Sequence, residues 1–224
     1  SGLSEVTLED GTTNIAEGLF TFCKNLSTIN IPSSVTTINN YAFYGCESLT
    51  SFTIPANVTT LGAQVFYDSG VTEMFIPKTL TTAGNNTMSA FEGSNIAKIT
   101  LEEGIDTIST AEFTLCKKLT EVNLPSTLKT IENSAFQGCD ALVSITIPYG
   151  VTSIEGYAFA DCAALEKVVI PSSVTSIATL GGQHIFAHIK TSGDKYPTMY
   201  VKEGSYAQTY AKDNNINYVV ANVE

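Results

Sequence analysis

Eight phenylalanines stand at near-equal intervals along the chain: Phe20, Phe43, Phe66, Phe91, Phe113, Phe136, Phe159 and Phe186. The steps between them are 23, 23, 25, 22, 23, 23 and 27 residues, and they use eight of the eleven Phe residues in the sequence. Self-similarity with a period of about 20 to 50 residues is the signature of a repeat array. It outweighs the two-domain division that a length of 224 residues would otherwise allow. No single unit of this size can bury its apolar positions alone, so neighbouring units must stack to make one core.

One unit, Leu49 to Gly70, reads "LTSFTIPANVTTLGAQVFYDSG". Its first part alternates, with Phe52 and Ile54 apolar and Ser51 and Thr53 polar, which predicts a half-buried strand stopped by Pro55. Val58 and Leu61, in Thr-rich sequence, predict a second short extended segment. In the preceding unit Ala42, Cys46 and Leu49 follow at 0, 4 and 7, a helical stripe beside Phe43. Each repeat is therefore expected to run strand, turn, short strand, helical turn.

The five cysteines, Cys23, Cys46, Cys116, Cys139 and Cys162, each lie three residues after a ladder Phe. The same slot holds Ser69, Ser94 and Ile189 in other repeats, a mixture that a packing position tolerates and a metal ligand does not. An odd count without a CxxC pair points to buried free thiols rather than disulfides or a metal site. Glu112 stands where neighbouring repeats have Ala135 or Ala158. An unpaired buried carboxylate is costly, so Glu112 is expected to turn outward or to find a donor.

Units such as "LSTINIPSSVTTINNYAFYGCES" and "LVSITIPYGVTSIEGYAFADCAA" resemble the BspA-like, or Treponema pallidum-type, leucine-rich repeats. The resemblance covers residues 3 to about 189 in eight repeats of about 23 residues. The tail "MYVKEGSYAQTYAKDNN" resembles the closing element of such arrays. The fold this implies is a curved, right-handed, β-rich solenoid of the leucine-rich-repeat type, with short helical turns and a C-terminal cap. The expected organisation is one continuous domain: a solenoid over 1–198 with insertions near 84–90 and 179–197, then a strand-helix-strand cap over 199–224. The resemblance also implies a secreted or cell-surface bacterial protein, in a family some of whose members bind host matrix proteins or mediate adhesion.

Charge excludes one class of partner. Eleven lysines and no arginine stand against 22 acidic residues, a net charge of −11, which repels phosphate backbones and lacks the side chain best suited to grip them. No run of 18 apolar residues is present for direct membrane insertion. No nucleophile has the neighbouring base and orienting group that catalysis needs, no cofactor motif is present, and enzymatic activity is not expected. His184 and His188 at i,i+4 in "GGQHIFAHIK" form a weak candidate metal pair without a third ligand.

The outward positions of the first strands are mostly small and polar. Phe75 is the exception, flanked by Glu73 and, one repeat on, Lys98. The candidate binding residues are Glu73, Phe75, Lys98, Thr100, Glu121 and Asn123, with a protein or a glycan, host matrix among them, as the expected partner. The competing expectation is a structural spacer or assembly unit of a larger surface protein.

Overall fold

The computed structural model of the chain describes residues 2–84, 88–179, 184–187 and 196–224. They fall into two compact units, 1–102 with 115–118, and 103–114 with 119–224. The first unit contains strands β1 (Glu5–Thr7), β2 (Asn14–Ile15), β3 (Thr28–Asn30), β4 (Thr37–Ile38), β5 (Thr60–Leu61), β6 (Glu73–Ile76), β7 (Thr82–Ala83) and β8 (Lys98–Leu101). The second contains β9 (Thr107–Ile108), β10 (Glu121–Asn123), β11 (Thr130–Ile131), β12 (Ser144–Thr146), β13 (Ser153–Ile154), β14 (Lys167–Ile170), β15 (Ser176–Ile177), β16 (Thr198–Val201), α1 (Tyr206–Asp213) and β17 (Tyr218–Val220).

Within each unit the paired strands of successive coils run parallel, the arrangement of a leucine-rich-repeat solenoid. Glu5 pairs with Thr28 and Thr130 with Ser153, both 23 residues on. The short second strands form two four-stranded ladders, β2-β4-β5-β7 and β9-β11-β13-β15. The longer first strands pair as β1-β3 and β6-β8 in one unit, and as β12-β14-β16-β17 in the other. Side chains of the first strands alternate as the pleat demands. Met74 and Ile76 are buried while Glu73 and Phe75 are exposed; Ile145 is buried between exposed Ser144 and Thr146.

The third side of each coil is a ladder of turns. The N–H groups of Tyr41, Phe43 and Gly45 donate to Ala63, Val65 and Tyr67 carbonyls of the next coil, at 2.9, 3.0 and 2.8 Å. The intervening N–H groups of Ala42, Tyr44 and Cys46 instead close turns on the residue three before, at 3.3, 3.1 and 3.2 Å. The short helical turns are thus single turns, and six of the coils place two left-handed residues in them, Tyr41 at φ 59° and Gly45 at φ 67° here. Among the described residues the α-helix is α1, capped by Ser205, whose side chain accepts the Gln208 N–H.

The ladder Phe rings fill the coils and stack along each unit. Centroids of Phe20–Phe43, Phe43–Phe66 and Phe66–Phe91 are 5.6, 6.0 and 6.2 Å apart, and those of Phe113–Phe136 and Phe136–Phe159 are 5.5 and 5.6 Å apart. Burial of one such ring contributes about 2–3 kcal/mol, and stacking adds about 0.5–1.5 kcal/mol. All five cysteines are buried and none is in a disulfide. Their slot does more than pack: the Cys46, Cys116, Cys139 and Cys162 thiols donate to the Phe20, Phe91, Phe113 and Phe136 carbonyls of the preceding coils, at 3.1 to 3.3 Å. Glu112 is half-buried and has found its donor, the Ser109 N–H at 2.8 Å.

One rung departs from expectation. The alternation at Ser51–Ile54 predicts a strand, but none forms, and the first-strand sheet of the first unit ends at β3 and resumes at β6. Phe52 is the inward residue of this rung. Where other coils place Val6, Ile29 or Met74, its ring wedges between Phe43 and Phe66, with centroids 5.0 and 4.9 Å away. The rest of the coil stays in register, since Thr59 N–H reaches Thr36 O at 2.9 Å and Gly62 N–H reaches Ile38 O at 2.7 Å.

Candidate binding face

Four of the six sequence-predicted binding residues come together on β6 and β8. Their parallel register sets Glu73 opposite Lys98 and Phe75 opposite Thr100. Phe75 is 49% exposed, Glu73 is exposed, and Lys98 and Thr100 are half-buried. The face is held rigidly from below by Met74, Ile76, Ile99 and Leu101, all buried. Glu121 and Asn123 lie on β10 of the second unit, where the Asn123 Nδ2 donates to Glu121 Oε1 at 3.1 Å.

Beside Phe75 the missing rung leaves two clefts. One, of about 480 Å3, runs between β3 and the unpaired segment and is lined by Ile29, Asn30, Ser51, Phe52, Thr53 and Pro55 among others. The other, of about 290 Å3, is lined by Phe52, Glu73, Met74, Phe75, Lys98 and Thr100. Sequence reasoning chose Phe75 correctly as an outward aromatic but missed the clefts. The signal was present: Phe52 is the one aromatic in an inward first-strand slot.

The other sequence-level candidates are placed as follows. The His184 Nδ1 accepts the Phe186 N–H at 3.0 Å and its ring packs edge-on against Tyr196 at 4.4 Å. His188 lies outside the described residues, and among those described no group of three or more metal-ligating side chains occurs. Of the insertion near 84–90, Gly84 and Met88–Ala90 are described. They close through a Gly84–Ser89 bridge and join the turn ladder, where Gln64 N–H donates to Ser89 O at 2.8 Å. Most of the insertion near 179–197 is outside the described residues. Glu102 and Glu103 tie coils together: the Lys78 N–H donates to Glu102 Oε2 at 2.9 Å and the Ser126 N–H to Glu103 Oε1 at 3.0 Å. These N–H groups hold both carboxyls below the usual carboxylate range.

A second exposed aromatic group escaped the sequence reading. Phe22, 57% exposed, meets Tyr44 edge-on at 5.3 Å, and Tyr44 stacks on Tyr67 at 4.6 Å. These rings lie on the turn side of their coils. Phe22 lies over Gly45 and Tyr67 over Gly93, so a Cβ at either glycine would collide with a ring. Their faces are largely used within the protein, which makes them a surface staple between coils.

Comparison with known proteins agrees with this architecture. A family model described as a BspA type leucine rich repeat region, in 6 copies, matches residues 1–89 and 86–192. Comparison with curated protein sequences finds no match. The crystal structure of a leucine rich cell surface protein from Faecalibacterium prausnitzii A2-165 is 28% identical, with a TM-score of 0.50 over 93% of this chain and 62% of its own. A leucine-rich repeat protein from Bacteroides ovatus ATCC 8483 shares the fold at 23% identity, with a TM-score of 0.56 over 97% of this chain and 66% of its own. The Treponema pallidum leucine rich repeat protein is 25% identical, with a TM-score of 0.52 over 62% of this chain and 64% of its own. The chain spans just under two thirds of the length of each of these structures. No helix among the described residues is long and apolar enough to cross a membrane. With the repeat pattern matched along both units, the chain belongs to the BspA-type leucine-rich repeat family.

Proposed function

We propose that this chain is a non-catalytic binding module of a secreted or cell-surface bacterial protein, and that it holds a protein or glycan partner, host matrix included, on the first-strand face around Phe75. The observation that carries the reading is Phe75 itself, half exposed in an outward slot where the other coils of its unit place small polar or charged residues. A partly exposed aromatic on a rigid, buried underlayer is the kind of group that dominates binding energy. The Thr, Ser and Asn side chains around it are short and lose little conformational entropy on contact. The cell-surface description of the F. prausnitzii structure supports the location.

A solution binding screen against matrix proteins and a glycan panel tests this, comparing the native chain with a Phe75→Asp, Lys98→Glu double variant whose melting curve matches. A hit weakened at least tenfold in the variant, about 1.4 kcal/mol, is the expected result. A hit unaffected by the variant overturns the assignment of the face. The absence of any hit favours a structural spacer.

A further inference from the structure

The missing rung leaves an unusual set of backbone groups exposed. In β3 the alternate residues are committed to β1: Thr28 N–H donates to Ser4 O at 3.3 Å, and Asn30 O accepts from Leu8 N–H at 3.1 Å. By the alternation of a parallel ladder, the Ile29 N–H and C=O point the other way, into the cleft. In β6, Thr72 O and Ile76 O accept from Lys98 and Glu102 N–H, at 3.1 and 3.0 Å. The backbone groups of Glu73 and Phe75 therefore face the gap from the opposite side. Between them, the backbone N–H and C=O groups of Ser51–Ile54 have no hydrogen-bond partner among the described residues. The bond that joins equivalent positions elsewhere, Leu8 N–H to Asn30 O at 3.1 Å and Ile147 N–H to Val169 O at 3.0 Å, has no counterpart between Ile31 and Thr53.

Unpaired strand edges are templates for pairing with another chain. Here they lie beside an exposed aromatic; the first strands β10 and β12 of the second unit are likewise not paired with each other. We propose that the break is a peptide-binding cleft, which captures an extended segment of a partner protein by strand addition. The partner's backbone pairs with the free edge groups of Ile29 and Ser51–Ile54, and an apolar side chain of the partner enters the smaller cleft between Phe52 and Phe75. The wall from Ser27 to Ile31 is about 16 Å long at 3.3 Å per residue, so the segment accommodated is about four to five residues. Backbone pairing gives such a site affinity, and the aromatic pocket gives it selectivity for an apolar side chain at one position. A glycan offers no row of alternating donors and acceptors at strand spacing, which is why the cleft favours a peptide.

The inference rests on the first-strand face being the binding face, and the test separates the two. Random dodecapeptides displayed on phage are selected against the intact chain, and the best binder is synthesised with and without N-methylation of alternate backbone amides. Phe52→Val restores the aliphatic slot, so the rung should close and the peptide bind at least tenfold more weakly, with folding confirmed by melting. N-methylation should weaken binding to the native chain to a similar degree. Binding that survives both changes overturns the cleft, as does failure to select any peptide. A matrix or glycan hit lost in Phe75→Asp, Lys98→Glu but unchanged in Phe52→Val also overturns the cleft while leaving the binding face standing.

Discussion

Three residues after a ladder Phe, a cysteine thiol in this fold has a carbonyl to bond and no solvent to meet. Burial pushes the Cys46 and Cys116 thiols up to about 12, so the S–H donor is retained at any physiological pH. Ellman's reagent should accordingly report no reactive thiol in the native chain and five after denaturation; prompt labelling of native protein would contradict the assignment. The spacing made the slot legible, but not the thiol's bond, which depends on where the preceding coil turns its carbonyl. Glu112 shows the same division. Burial raises its carboxyl to about 7, the Glu132 charge acting the same way and the Ser109 N–H opposing. The unfolded chain releases this proton near the usual value of 4.5. Below that pH both states hold it and the folded state keeps its full advantage, which is lost as pH rises through about 7. Glu112→Gln should leave the melting temperature nearly unchanged at pH 4 and raise it at pH 8, by a difference on the order of 2–3 kcal/mol at most. An equal effect at both pH values would show that ionisation is not the cause.

At the scale of the element, the turn ladder takes left-handed backbone at two positions in six of the coils, and the sequence supplies glycine only some of the time. Gly45, Gly93 and Gly138 fill one of the two positions in their coils, whereas Leu115 holds the equivalent place at φ 54°. An L-residue with a Cβ is strained there by about 1 kcal/mol or more. Leu115 is also exposed, so its side chain contributes little to the core. Leu115→Gly should therefore be neutral to stabilising by up to about 1 kcal/mol in chemical denaturation, and a loss above that would show that its side chain packs more firmly than its exposure indicates. The strands themselves were legible because alternation and Pro mark them. The left-handed turns were not, since Tyr41, Ser134 and Tyr157 carry no conformational signature of their own. Nor was the break at Ser51–Ile54, because Phe52 satisfies an alternating pattern as well as isoleucine does. What the pattern leaves out is the ring's packing between Phe43 and Phe66, at 5.0 and 4.9 Å, in the coil where the rung opens.

For the whole molecule, periodicity fixes the architecture, and the proposed binding cleft lies at one of its irregularities. The family match accounts for the stacked coils. The proposed cleft lies where the first-strand ladder is interrupted beside Phe75. Hydrogen exchange of the free, native chain tests that claim most directly. Gly62, in the same coil, is bonded to Ile38 at 2.7 Å, and its amide should exchange slowly. The amides of Phe52, Thr53 and Ile54, without partners, should exchange at least about a hundredfold faster. Protection of Phe52–Ile54 equal to that of Gly62 would mean that the rung is closed in solution, and the cleft with it.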